Sequence, residues 1–235
     1  MKLDTETITY MQNIVDTAKM VGIDSIIIEP GLIRAIDDNR CVVLHQTEDV
    51  EDLPFGSVGL NRISVFTSRL DIAKTQEKFT VEAVEGTDDF AKSMTMKGKG
   101  VKIDYRCANP SSIRAPKVIH DTMKYRVDLN SDAVLLLQKG QAAMGSPETV
   151  AIISNKDGVA FELVDVNSHD VFSHTFTDKV HALNGSTKKT FAHRYPVKVL
   201  LTLFKNDSEG SFDIGEKGIL HVDVNGLGVY VLPQI

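Results

Sequence analysis

ANPSSIRAPKVIH, residues 108–120, falls near the middle of the 235-residue chain and resembles neither flank. Pro110 and Pro116 remove backbone donors and hold their neighbours extended. The stretch therefore reads as a strap laid across a surface, and it is hostile to a helix. On either side of it the same order of elements recurs, so the strap reads as the connector between two like halves.

In the first half, LDTETITYMQNIVDTAKM (3–20) places Ile8, Met11, Val15 and Ala18 at steps of three and four. Thr5, Thr9, Gln12, Asp16 and Lys19 form the opposite stripe, the pattern of an amphipathic helix. IDSIIIE, PG and LIRAIDD predict strand, turn and strand, and CVVLHQ a third strand. LNRISVFTSRLDIAK (60–74) predicts a second helix, with Leu60, Ile63, Phe66 and Leu70 on one side and Arg62 and Arg69 on its flank. FTVEAVEG, DDFAKSMTM and VKIDYRC predict strands, with KGKG as a hairpin turn.

The second half repeats this order. YRVDLN is a strand, and SDAVLLLQKGQAAM a helix with Ser131 in N-cap position. ETVAIISN, DG and VAFELVD mirror the earlier strand–turn–strand, and VFSHTFT is a further strand. YPVKVLLTLFK is a helix with Pro196 in its first turn and Lys198, Thr202 and Lys205 along one side. GSFDIG, GILHVDV and GVYVLPQI close the chain as strands divided by glycine turns. The match is in pattern and not in letters, so a generic α+β protein whose halves agree by chance stays open here. Under the repeat reading the domains are 1–108 and 119–235, with the connector at 109–118.

Composition narrows the function. A hydrophobic fraction of 42% with 25% charged residues is that of an ordinary soluble globular protein. No apolar run approaches the roughly 20 residues that span a bilayer, and MKLDTETITY lacks the basic, then apolar, start of a signal peptide. The expectation is an intracellular protein without a membrane partner. Cys41 and Cys107, far apart and without a CxxC, read as reduced thiols, although spacing alone leaves a disulfide open. The net charge of −6 argues against a wholly basic nucleic-acid binder but not against basic residues gathered on one surface.

Catalytic patterns are missing. The seven histidines lack ligand spacing, and His169 and His174, read on one strand, would face opposite sides. SHD at 168–170 cannot form a relay from adjacent strand positions. GKG lacks the rest of a phosphate loop, and no strand precedes MGSPET as a nucleophile elbow requires. The expectation is no catalytic residue, no metal and no cofactor.

At this point the order of elements and three local stretches resemble a known family, the ring-shaped sliding DNA clamps typified by proliferating cell nuclear antigen and by the processivity factors of T4-like phages. LIRAIDDNRCVVL is similar to the family's strand–loop–strand with a central acidic position, here Asp37. NPSSIRAPK resembles the short connector of T4-type clamps, and VYVLPQI the terminal strand and tail. Arg40 stands where cellular clamps commonly have histidine, Asp16 lies beside Lys19, and no acidic tail follows Ile235; these features favour the phage type, in the cytoplasm of a bacterial host.

The resemblance implies two processivity-fold domains of α+β class, with helices lining the inside of a homotrimeric ring and antiparallel sheets outside. The ring would encircle duplex DNA without reading its sequence and tether the replicative DNA polymerase. A clamp loader ATPase and other replication proteins are further partners. The DNA-facing candidates are Lys19, Arg62, Arg69, Lys74, Lys139, Arg194, Lys198 and Lys205. A partner-peptide pocket is implied at Ile36, Arg40, Cys41, Ile113, Pro116, Tyr230, Leu232, Pro233 and Ile235. Subunit pairing is implied at Val101, Ile103 and Tyr105 against Val171, Ser173 and Thr175. Two other classes stay open: a two-domain β-rich phage structural or assembly protein, and a small-molecule enzyme.

Overall fold

A computed structural model describes residues 1–86, 90–116, 119–156, 158–186, 190–206 and 210–234. The expected positions Asp88, Asp89, Lys117, Val118, Asp157 and Ile235 lie outside them. The chain divides into two compact units, Met1–Ile119 with Asn225–Leu227, and His120–Val224 with Gly228–Ile235.

Unit 1 begins with α1 (Thr5–Met20), started by Asp4, whose carboxylate accepts from the Thr7 N–H at 2.8 Å. Ile8, Met11, Ile14, Val15 and Ala18 are buried along one side, as the spacing predicts. Strands β1 (Ser25–Glu29), β2 (Leu32–Ile36), β3 (Val42–Gln46) and β4 (Val58–Asn61) follow. Then come α2 (Ile63–Lys74), β5 (Thr80–Glu85), β6 (Ala91–Gly98) and β7 (Val101–Arg106). Two antiparallel sheets result, in the orders β4-β1-β2-β3 and β5-β6-β7. Residues 1–3 extend the second sheet: Leu3 N–H donates to Val81 O at 2.8 Å, and Lys2 bridges Glu82.

Unit 2 holds β8 (Met123–Asp128), α3 (Ser131–Ala143), β9 (Thr149–Asn155), β10 (Gly158–Val164) and β11 (Val171–Thr177). It continues with β12 (Val180–Ala182), β13 (Ala192–Pro196), α4 (Val197–Asn206), β14 (Ser211–Gly215), β15 (Leu220–Val224) and β16 (Leu227–Val231). Its sheets run β13-β9-β10-β11 and β12-β8-β14-β15-β16. Set β8 against the N-terminal segment and the two units follow one plan, with β12 as an addition on the edge of β8. The repeat expected from pattern is thus a repeat of strand order.

Each core mixes its helices with its sheets. Phe66 and Tyr105 meet edge to face at 5.0 Å in unit 1. In unit 2, Phe176, Phe161, Phe204 and Phe212 stack in sequence at 4.3, 6.3 and 5.2 Å, geometry that adds to simple area burial. α3 is seated on β11 at Gly140, where a Cβ would lie 2.6 Å from the Phe172 ring. A side chain there would lift the helix.

Several local readings change. Leu60 and Arg62 are not helical: Val58–Asn61 pairs with β1, Leu60 opposite Ile26, and Arg62 takes a left-handed φ of 56° before α2. Sheet pairing overrides the helical spacing of Leu60 with Ile63. Asn130, not Ser131, caps α3, accepting from the Ala133 N–H at 2.7 Å while its amide donates to Phe176 O at 2.8 Å. Pro196 ends β13 opposite Thr149, one residue short of α4. His169 sits in a turn with φ 61° before β11, where Asp165 collects the Asn167 and Ser168 N–H groups.

The strap's first half belongs to unit 1. Ala108 N–H donates to Gly59 O at 2.8 Å, making an antiparallel bridge with β4. Asn109 then caps the single 3-10 turn Pro110–Ser112, accepting from Ser111 N–H at 3.0 Å. Gly59 is required: a Cβ there would stand 2.6 Å from Ala108 O and 2.9 Å from Ile113 Cδ1.

Candidate nucleic-acid interface

The helices pack in pairs within each unit, α1 with α2 and α3 with α4. Their buried stripes face the sheets and leave the opposite sides to solvent. The four helices carry Lys19, Arg69, Lys74, Lys139, Lys198 and Lys205 against Glu6, Asp16, Asp71 and Asp132, an excess of cations on a chain of net charge −6. Arg62 adds a further cation at the α2 cap.

The eight basic candidates occupy different settings. Lys19, Arg62, Lys74, Lys139, Arg194, Lys198 and Lys205 are exposed and Arg69 is half-buried. Arg69 donates to the Asp104 carbonyl on β7 at 3.0 Å, and its guanidinium lies 5.8 Å from the Tyr105 ring centre. Arg62 approaches the same ring at 6.0 Å. Lys74 donates from α2 to Gln12 Oε1 on α1. Arg194 stands on β13 and not at a helix end, its carbonyl accepting from Gln234 N–H at 2.8 Å.

β7 and β11 are outer strands of their sheets. Val171, Ser173 and Thr175 are exposed on β11, whereas Val101 and Ile103 are half-buried. Tyr105 gives its side chain to the core: it is fully buried, its hydroxyl donates to Asn61 O, and burial pushes its pKa up to about 12. The phenol stays protonated as a donor.

The residues assigned to a partner pocket fall into local groups. Around Asp37, one carboxylate oxygen accepts from Cys41 N–H at 2.7 Å and Val42 N–H at 2.6 Å, and the other from Asn39 N–H at 3.1 Å. This fixes the β2–β3 turn and exposes Arg40, whose φ is 59°. Ile36, Cys41, Ile113 and Pro116 are half-buried in unit 1. In unit 2, Tyr230, Leu232 and Pro233 are half-buried, and the Tyr230 ring lies 4.7 Å from that of His221.

Ser186, in a cleft of about 590 Å³ with His193, donates its hydroxyl to Lys124 O at 2.7 Å and not to the imidazole. Among the described residues no group of three or more His, Cys, Asp or Glu side chains could hold a metal ion. Among them no helix is long and apolar enough to cross a membrane.

No protein-family model matches the chain, and no curated protein does. Solved structures do. The chain is similar to A. fulgidus PCNA, in a structure of the C-terminal region of FEN-1 bound to it, at 16% identity and a TM-score of 0.58, over 95% of this chain and 96% of that one. PCNA from Thermococcus kodakaraensis matches at 13% identity and 0.60, over 99% and 98%. The protein from Entamoeba histolytica matches at 10% and 0.60, over 96% and 95%. The chain has the sliding-clamp fold.

Within this clamp fold, sequence reading missed a cross-strand row in unit 2. Arg126 on β8 grips Asp213 on β14 through Nε–Oδ1 and Nη2–Oδ2 at 2.8 and 2.9 Å, and His221 on β15 lies 3.9 Å from the same carboxylate. Burial pushes the Asp213 pKa up, but the neighbouring His221 and the two hydrogen bonds from Arg126 outweigh it and hold the value at about 2. The row depends on strand register, which no local pattern of letters reveals.

Proposed function

We propose that this chain is a sliding clamp that acts by enclosure and does no chemistry. Three copies close head to tail into a ring of six like units, each protomer's β7 pairing with the next one's β11, which covers both exposed sheet edges. The helix pairs then line the hole. Lysine and arginine attract phosphate without reading sequence, and the attraction is weak enough to permit sliding. The replicative DNA polymerase is tethered to the ring, and a clamp loader ATPase opens it.

The carrying observation is the duplicated strand order joined to helices that, taken together, carry an excess of cations on a net-acidic chain. Partner docking is supported by the relative whose structure holds the C-terminal region of FEN-1. Each unit by itself has chemistry that suits a short anchor segment: unit 1 the Asp37-built turn and the proline-stiffened strap, unit 2 the half-buried Tyr230, Leu232 and Pro233. The short strap and Arg40 favour a phage-encoded clamp working in a bacterial cytoplasm.

Light scattering tests the assembly. The expected mass is about three times the 25.9 kDa chain, with rings in negative-stain images. A stable monomer would overturn the reading, and a large assembly without a central hole would favour a structural protein.

A further inference from the structure

We propose that the two units share the DNA unequally: phosphate contact resides on unit 2, on α4 with Lys139 of α3, while the α1–α2 pair offers a nearly neutral surface. This rests on the clamp reading above and sharpens it.

α4 carries no carboxylate. Lys198, Thr202 and Lys205 fall at steps of four and three, which places them on one side of the helix. Val197, Leu200, Leu203 and Phe204 are buried on the other. Lys198 and Lys205 are exposed, and among the described residues neither ammonium, nor that of Lys139, has an ion-pair partner. Thr202 turns its hydroxyl back to Lys198 O at 2.9 Å, leaving the stretch between the lysines uncharged. The acidic Asp207 and Glu209 that follow α4 lie outside the described residues.

Unit 1 has as many cations, but they are engaged elsewhere. Arg69 is held by the Asp104 carbonyl and the Tyr105 ring, Arg62 lies toward the same ring, and Lys74 is bonded to Gln12. The outward stripe of α2 is Val65, Ser68 and Ile72, with Val65 36% and Ile72 53% exposed. On α1, Lys19 stands one turn from exposed Asp16, and Glu6 is exposed near the start. A phosphate approaching unit 1 meets mixed charges and apolar surface; one approaching unit 2 meets three ammonium groups that have no ion-pair partner among the described residues, against the single helix carboxylate Asp132, two turns from Lys139.

The test is equilibrium binding of the full chain to a fluorescein-labelled duplex, followed by anisotropy across a salt series. Each lost phosphate contact lowers the slope of log K against log salt by about 0.9. Lys198→Gln with Lys205→Gln should lower it by about 2 and weaken binding more than tenfold at low salt. Arg69→Gln with Lys74→Gln should change affinity less than threefold, with the slope held. Equal losses in the two double variants, or the larger loss in the second, would overturn the unequal sharing and leave the clamp reading standing. A wild-type ring with no salt-dependent duplex binding would overturn both. Light scattering on each variant confirms that the assembly is unchanged, so that a loss reflects contact and not collapse.

Discussion

Replacing Asp213 by asparagine keeps the side chain's shape and removes its charge, which makes it a direct measure of the cross-strand row. Asp213 is 7% exposed, and its carboxylate is held at a pKa of about 2 against an ordinary 3.8. At 1.36 kcal/mol per unit, that difference corresponds to about 2 kcal/mol of stability at neutral pH. A charge-assisted fork from Arg126, at roughly 1.5–3 kcal/mol for such bonds, points to the same size. The folded pKa is depressed, so the contribution is complete above about pH 4 and is lost as pH falls toward 2. About half should be gone by pH 3.

Urea unfolding of the full chain by circular dichroism, at fixed protein concentration because assembly shifts apparent stability, reads this out. Asp213→Asn should be about 2 kcal/mol less stable at pH 7, and the gap from the parent should narrow between pH 4 and pH 2.5. A gap under about 0.5 kcal/mol at pH 7, or one that stays constant through the acid range, would refute the assignment of the stabilisation to a buried ionised carboxylate.

Gly59→Ala forces a methyl against Ala108 O and Ile113 Cδ1. It should cost about 1–3 kcal/mol and open the strap to limited proteolysis near Ser111; unchanged cleavage there would count against the strap's docking on β4. Burial pushes the Cys107 thiol up to about 12, so little thiolate exists at pH 8. A disulfide reagent should then label one thiol per native chain and two in urea, and rapid labelling of both in the native protein would contradict the burial.

Legibility in the sequence tracked how local the deciding force was. α1 could be read outright because its three-and-four spacing of apolar residues acts within a few residues. Asp37 was singled out only by family resemblance, inside a stretch read as strand, and the turn its carboxylate builds with the Asn39, Cys41 and Val42 N–H groups was not foreseen. Leu60 and Arg62 were misassigned because the pairing of Leu60 with Ile26 is a contact between distant stretches, and helical spacing cannot compete with a sheet partner it does not see. β12 escaped notice as three residues on an edge. The basic residues were visible as letters, but not their partners: that Arg69 is spent on a β7 carbonyl follows only once α2 and β7 are side by side. Charge along a helix is a sequence property, whereas available charge is a property of packing.

The seat of α3 on β11 has one more implication. The helix buries Ala133, Leu137 and Gly140, and the absent side chain of Gly140 sets how near helix and sheet can come. Gln138, Lys139 and Ala142, on the far side, take no part in that spacing. Selection can therefore retune the electrostatic character of that surface, residue by residue, without displacing the helix axis, provided position 140 never acquires a methyl group.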